Sequence, residues 1–186
     1  MKHNPRFTYS EEERRKRQNP ELILSSLGLK KGMCFIDSGS NDGFFTLPAA
    51  RIVGSSGRII AIDVDEEALL RLKTKLDHEN ISNVEIINKP SENVIVASNI
   101  ADIIFFGTVL HDFKDPLQVL KNSRSMLKDS GLILDYDWRK LNATIGPPYD
   151  IRFSEDEVFR LAKNSGLSVA SAKIIDSNFY NVVLKK

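Results

Sequence analysis

The stretch CFIDSGSNDGFF, residues 34–45, links an apolar run that stops at Asp37 to an apolar segment that resumes at Phe44, with Gly39 and Gly43 between them. Glycine adopts backbone conformations that a side chain forbids and lets another molecule come close to the main chain. A carboxylate, two glycines and small polar residues at a strand-to-helix junction suit a ligand seat. The same residues can also make a tight turn on their own, so the surroundings must decide.

Outward from this corner, strands and helices alternate. The pattern predicts a strand over 33–37, a helix from about Gly43 to Val53 ended by Gly54, a strand over 58–63, and an amphipathic helix from Glu66 to His78. A strand over 84–88 leads to an irregular stretch near 89–99. A strand over 101–107 precedes a helix opened by Asp115-Pro116 and closed near Gly131, and a strand over 132–136 runs into a long loop. Ser154 and Glu157 have capping-box spacing and start a helix through Asn164. Two last strands, 167–175 and 179–185, flank the short polar turn Asp176-Ser177-Asn178. Before all of this, Asn19-Pro20 opens a helix through Leu27.

Alternation of this kind predicts an α/β fold of three layers: a mostly parallel sheet, covered on both faces, that ends in an antiparallel C-terminal hairpin. The 186 residues are read as one domain, 1–186, in which an N-terminal helical segment (1–28) precedes the sheet-forming core (29–186). With 26 basic and 25 acidic residues the chain carries no bulk signal for nucleic acid or membrane. The run Glu11-Glu12-Glu13 followed by Arg14-Arg15-Lys16-Arg17 reads as a solvated helical face. A single cysteine, Cys34, excludes an internal disulfide and a cysteine-rich zinc site, and no metal ligands are assigned. No apolar run approaches ~18 residues and no signal-peptide pattern occurs, so the cytoplasm is the expected location.

In open α/β sheets, ligands bind outside the carboxyl ends of the strands. Asp37 closes the first strand, and Asp63 closes the second, twenty residues past Gly43. A carboxylate there can accept from both hydroxyls of a ribose; read blandly, it caps the following helix. Together the corner and the acid point to an adenosine-containing ligand. The spacing G-S-N-D-G departs from the dinucleotide fingerprint, and Asp42 would repel a pyrophosphate. A methionine-bearing adenosine, with a cationic amine and a sulfonium, suits the charge better than NAD.

At this point the chain resembles a class I S-adenosylmethionine-dependent methyltransferase, from about Leu22 to Lys185. GMCFIDSGSNDGFFTLPAARIVGSSGRIIAIDVDEEALLRLKTKL, from Gly32 on, is similar to that family's first motif, usually D-x-G-x-G-x-G, and its acidic second strand. ADIIFFGTVLHDFKDPLQVLKNSRSMLKDSGLILDYDWRK, from Ala101 on, is similar to its fourth strand, following helix and fifth strand. The resemblance implies a Rossmann-like sandwich and S-adenosyl-L-methionine as cofactor. It places Asp37, Gly39 and Gly43 along the methionine portion, with Ser40 and Asn41 in the same loop, and Asp63 at the ribose. Val64 and Asp65 fall beside the adenine, and Gly107 and Thr108 flank the sulfonium. Asn41 stands where the family has its middle glycine, and Lys89 where an acid would accept from the adenine amine, leaving Ser91 or main-chain groups to read that ring.

Methyl transfer is an in-line displacement, so positioning and exclusion of water dominate, and an acceptor oxygen or nitrogen can also need a base. His111, just beyond the fourth strand, is the candidate base; a plain loop histidine or cap partner is the competing reading. Asp137, in DYDWRK at the end of the fifth strand, is the second catalytic candidate, while Trp138 reads as packing. The segment 6–24 and the loop 141–154, with Tyr149 and Arg152, are candidates to close over an acceptor. A small-molecule acceptor is expected, and oligomeric state stays open. Two other readings remain: an NAD(P)-dependent oxidoreductase, and a relative that kept the fold and lost turnover.

Overall fold

Seven strands form one sheet in the order β3-β2-β1-β4-β5-β7-β6. The structure is a computed structural model that describes residues 10–186. The strands are β1 (Cys34–Ser38), β2 (Arg58–Asp63), β3 (Val84–Asn88), β4 (Ala101–Gly107), β5 (Leu127–Trp138), β6 (Ser168–Ile174) and β7 (Phe179–Lys185). The first five are parallel, and β7 runs antiparallel between β5 and β6, so the predicted terminal hairpin is present. The order reverses between β1 and β4, which opens a crevice at their carboxyl ends.

The helices are α1 (Glu11–Arg17), α2 (Pro20–Ser26), α3 (Thr46–Val53), α4 (Glu66–His78), α5 (Pro116–Met126) and α6 (Glu155–Asn164). Apolar residues on both faces of β1, β2 and β4 explain the layering. Ile36, Ile60, Ile104 and Phe106 pack under α5 and α6, while Phe35, Ile59, Ile103 and Phe105 pack under α2 and α3. Leu69, Leu72 and Leu76 of α4 close on Ala61 and on Leu47 of α3. Strands buried on both sides read as unbroken apolar runs, as these do. No helix among the described residues is long and apolar enough to cross a membrane.

Three local departures from the sequence reading have physical causes. The helix after β1 begins at Thr46, not Gly43, because Gly43 sits at φ 92°, outside helical space. Helix α5 ends at Met126, where Leu127 pairs with Ala101, and β5 then bulges before Leu132 pairs with Ile103. Gly131 is therefore no helix stop: a Cβ there would lie 2.9 Å from the Ala101 carbonyl oxygen, so it lets the bulge cross β4. Finally, α1 has the expected pairs Glu11–Arg15 and Glu12–Lys16, but Arg14 leaves the solvated face. Its guanidinium lies 4.0 Å from the centroid of the Phe44 ring, holding α1 against the corner. The part of the N-terminal segment before Ser10 lies outside the described residues.

Candidate active site

The corner after β1 is bound tightly to its own protein. Gly39 N and Ser40 N both donate to Ile62 O of β2, at 2.8 and 3.0 Å, and Asn41 N donates to Asp63 Oδ2 at 2.8 Å. Asn41 takes φ 47°, the left-handed conformation that asparagine tolerates better than most residues. Gly39 (φ 84°) and Gly43 (φ 92°) serve close packing as well as turning, since a Cβ at Gly39 would lie 2.5 Å from Val109 and one at Gly43 2.4 Å from Leu72. Asp42, read from sequence as a bare charge, is paired with Lys75 Nζ of α4 at 2.9 Å. Paired in this way, Asp42 would not repel a pyrophosphate as a bare carboxylate would.

What the corner leaves open is specific. Asp37 is fully buried and accepts one bond, from Thr46 Oγ1 at 2.6 Å, with no cation bonded to it among the described residues. Burial pushes its carboxyl up to about 7, Asp63 adding to the rise and the Thr46 hydroxyl and the Arg14 charge opposing it. Ser40 Oγ is buried without a hydrogen-bond partner. An unneutralised carboxyl and an orphaned hydroxyl are what a polar, cationic amino-acid tail would satisfy, so these residues fit S-adenosyl-L-methionine.

Asp63 accepts from Asn41 N through Oδ2 and from Asp65 N through Oδ1 (2.9 Å), which fixes its carboxylate at the mouth of the crevice beside β3. Asp65, not Asp63, caps α4, accepting from Ala68 N at 3.0 Å. The bland reading of Asp63 as that cap is thereby removed. Val64 beside it is an apolar residue left 40% exposed. Ser91 is buried and its Oγ accepts from Ser38 Oγ at 2.8 Å, tying the segment after β3 to the end of β1. Lys89 is exposed. At the end of β4, Gly107 faces aromatic rings: a Cβ there would be 2.7 Å from Phe45 and 2.6 Å from Phe105. The next residue, Thr108, adopts φ 58°, a strained conformation for a β-branched residue that nothing in the sequence announces. Its N–H donates to Tyr136 O at 2.7 Å, joining the ends of β4 and β5.

Across this end of the sheet, His111 and Asp137 meet. His111 Nδ1 lies 2.7 Å from Asp137 Oδ2, with the two side chains 3% and 1% exposed. Alternation along β5 puts Asp135 and Asp137 on one face and Tyr136 and Trp138 on the other, where Trp138 packs 4.4 Å from Phe179. Burial works against the imidazolium. The Asp137 carboxylate, by its charge and its hydrogen bond, outweighs it and, with Asp112, raises His111 to about 8. Asp137 Oδ1 also accepts from Trp138 N at 2.7 Å. Sequence alone did not single out Asp135 or Tyr180, whose hydroxyl donates to Asp135 Oδ2 at 3.0 Å.

In the loop 141–154, Arg152 does not make the cationic contact to a ligand expected of it. Arg152 is buried and donates to four main-chain carbonyls: Pro147 (2.7 Å), Arg139 (3.0 Å), Leu141 (3.3 Å) and Ile145 (2.6 Å). It is an internal staple of the loop and offers no cation to a ligand. Gly146 presses on Trp138, 2.7 Å from a Cβ position, so the loop is seated on the sheet. Tyr149 alone of the two residues stays 45% exposed.

A parallel sheet with strand order reversing between β1 and β4, a terminal antiparallel hairpin, an acid at the end of β1 and another at the end of β2 define a class I, Rossmann-like methyltransferase fold. Residues 29–179 match the model of the methyltransferase domain, and the chain belongs to that family. S-adenosyl-L-methionine is the cofactor of this class. A SAM-dependent methyltransferase from Aquifex aeolicus has a similar structure: 26% identity, 95% of this chain and 98% of that one covered, TM-score 0.84. Demethylmenaquinone methyltransferase of Staphylococcus aureus (strain MRSA252) is 27% identical over 112 residues, covering 60% of this chain and 46% of that protein. The ubiquinone/menaquinone biosynthesis C-methyltransferase UbiE of Idiomarina loihiensis is 27% identical over 125 residues, covering 66% and 50%. The chain thus spans about half the length of these curated relatives.

Proposed function

We propose that this chain transfers the methyl group of S-adenosyl-L-methionine to a small organic acceptor that must lose a proton, with His111 as the base and Asp137 as its anchor. The observation that carries the reading is the buried 2.7 Å contact between His111 Nδ1 and Asp137 Oδ2 at the carboxyl end of the sheet. Accepting from Nδ1–H, Asp137 fixes the tautomer in which Nε2 is left to take a proton. When bound, the cofactor supplies an electrophilic methyl on its sulfonium. The chain's part is to seat the cofactor tail at Asp37 and Ser40, hold its ribose at Asp63 and its adenine between Val64 and Ser91, and leave Gly107 and Thr108 at the acceptor side.

Two relatives bear names that refer to demethylmenaquinone and to ubiquinone/menaquinone biosynthesis, which favours an aromatic acceptor whose ring or hydroxyl is activated by losing a proton. His111 raised to about 8 is mostly imidazolium at neutral pH, so turnover is expected to climb as pH rises to about 8 and then level off.

The test is calorimetric titration of the chain with S-adenosylmethionine, S-adenosylhomocysteine and NAD in parallel, followed by a screen of phenolic and quinol acceptors. Binding of both sulfur compounds but not NAD, with methyl transfer to one of the acceptors, is the expected result. Binding of NAD alone would overturn the cofactor assignment. Cofactor binding without transfer to any acceptor would favour the relative that lost turnover.

A further inference from the structure

We propose that Asp135 is the neutral member of a carboxyl pair on β5, a positioning residue that leaves Asp137 as the one charged carboxyl of that strand against His111. The proposal rests on the reading of His111 and Asp137 as base and anchor, and it adds a second carboxyl and a tyrosine to that pair.

The geometry separates two residues that sequence would treat alike. Asp135 and Asp137 stand two positions apart on one strand face, about 6–7 Å along β5, and both are buried. Asp137 is surrounded as an anion must be: one oxygen faces the His111 ring at 2.7 Å and the other accepts from Trp138 N at 2.7 Å. Asp135 has one neutral donor, the Tyr180 hydroxyl at 3.0 Å, and its Oδ1 is buried with no partner. A buried carboxylate with one oxygen unsolvated is costly, whereas the acid form is far less so. Like charges this close in a dry site also resist ionising together, so one proton stays on the pair. The donors decide which residue keeps it: Asp137 has the cation, so Asp135 has the proton. Burial and the neighbouring Asp137 both push Asp135 well above the ordinary carboxyl range, against the Tyr180 bond and the His111 charge.

The consequence falls on His111. The titratable and charged groups around this cluster are Asp112 on its own turn, 3.7 Å from His111 Nε2, Asp135 and Asp137 on β5, Arg152 acting on Asp137, and Glu155 at the start of α6 acting on Tyr180. A second ionised carboxylate on β5 would hold the proton on His111 more tightly. One carboxylate orients it and still lets it release. Tyr180 lies opposite Asp137 in register on β7 and reaches the neighbouring Asp135, so it keeps the second carboxyl in place without giving it a counter-charge.

The experiment uses the full chain and two readouts that need no turnover. NMR titration of the His111 ring is run on the wild type, Asp135→Asn, Asp137→Asn and Tyr180→Phe, and infrared spectra are taken at neutral pH. Asp137→Asn is expected to lower the His111 midpoint by about one pH unit or more, while Asp135→Asn and Tyr180→Phe leave it within a few tenths. Beside the half-protonated Asp37, the wild type should show a second buried protonated carboxyl, whose stretch is lost in Asp135→Asn, as read from the wild-type-minus-variant difference, and persists in Tyr180→Phe. A midpoint lowered as far by Asp135→Asn as by Asp137→Asn would overturn the proposal. So would an infrared band unchanged by Asp135→Asn. Should Asp135→Asn fail to fold, Tyr180→Phe decides, since loss of the band there is incompatible with a neutral Asp135. Failure of methyl transfer would strike the functional reading and leave these readouts untouched.

Discussion

Asp37 and Asp137 occupy matching places, each at the carboxyl end of a central strand and each buried, yet their surroundings differ. Among the described residues Asp37 has a threonine hydroxyl and no bonded cation, and burial drives it up to about 7. Asp137 has an imidazole against one oxygen and a main-chain amide against the other. The first carboxyl is incomplete without a ligand; the second is completed by the protein. On the proposed reading, a site that waits for a cationic cofactor and a site that prepares its own base are told apart by what each aspartate lacks. Breaking each of them should give opposite signatures: lost affinity at the corner, lost turnover at the pair.

The largest effect is expected from His111→Ala, which should reduce turnover with a proton-bearing acceptor by about 10²–10⁴-fold while calorimetric affinity for S-adenosylhomocysteine stays unchanged. An unaltered turnover would remove His111 from the chemistry and leave Asp137 a structural partner only. Next comes Gly43→Ala. Its new Cβ would lie 2.4 Å from Leu72 Cδ1 at a positive φ, so overpacking and backbone strain together should cost about 2–4 kcal/mol of stability, read as a lower denaturant midpoint. A midpoint equal to that of the wild type would show that the corner yields easily, contrary to its dense hydrogen bonding. Smaller again, Asp63→Ala should weaken S-adenosylhomocysteine binding by about 1–3 kcal/mol, through the ribose and through the freed Asn41 amide. Equal affinities would sink Asp63 as the ribose acceptor.

The two regions also differed in how far sequence revealed them. The corner is local: Asp37, Gly39 and Gly43 lie within one short stretch, and Asp63 follows at the end of the next strand, so spacing alone assembles them. All seven strands were legible because apolar runs, punctuated by glycines and polar turns, carry strand positions directly. The His111–Asp137 contact joins residues 26 apart on different elements, and the sequence could name both candidates but not bring them together. Asp135 and Tyr180 meet 45 positions apart, by way of strand register that no local signal encodes. Where local reading failed, long-range packing had overridden it. Asp42 is neutralised by Lys75 from α4, Arg14 is drawn onto Phe44, and Arg152 turns inward to hold loop carbonyls. In each case a charged residue that looked available had been claimed by an element distant in sequence or by the loop's own backbone.

The smallest effect is a proton count, and it tests the comparison at its root. Without ligand, Asp37 with a value of about 7 is roughly nine-tenths protonated at pH 6 and one-tenth at pH 8. A cationic amine placed against it favours the carboxylate, so the complex holds fewer protons than the free protein. Affinity must then rise with pH, by up to about tenfold per unit below pH 7, and flatten above it. Titrations with S-adenosylhomocysteine in buffers of different ionisation enthalpy should show close to one proton released per binding event at pH 6 and little at pH 8. Asp37→Asn should abolish that release and flatten the pH profile while weakening binding. His111→Ala should alter neither, because His111 is not among the groups that set the Asp37 value. Proton release that survives Asp37→Asn would mean that the corner was completed before any ligand arrived, and the distinction between the two aspartates would fail.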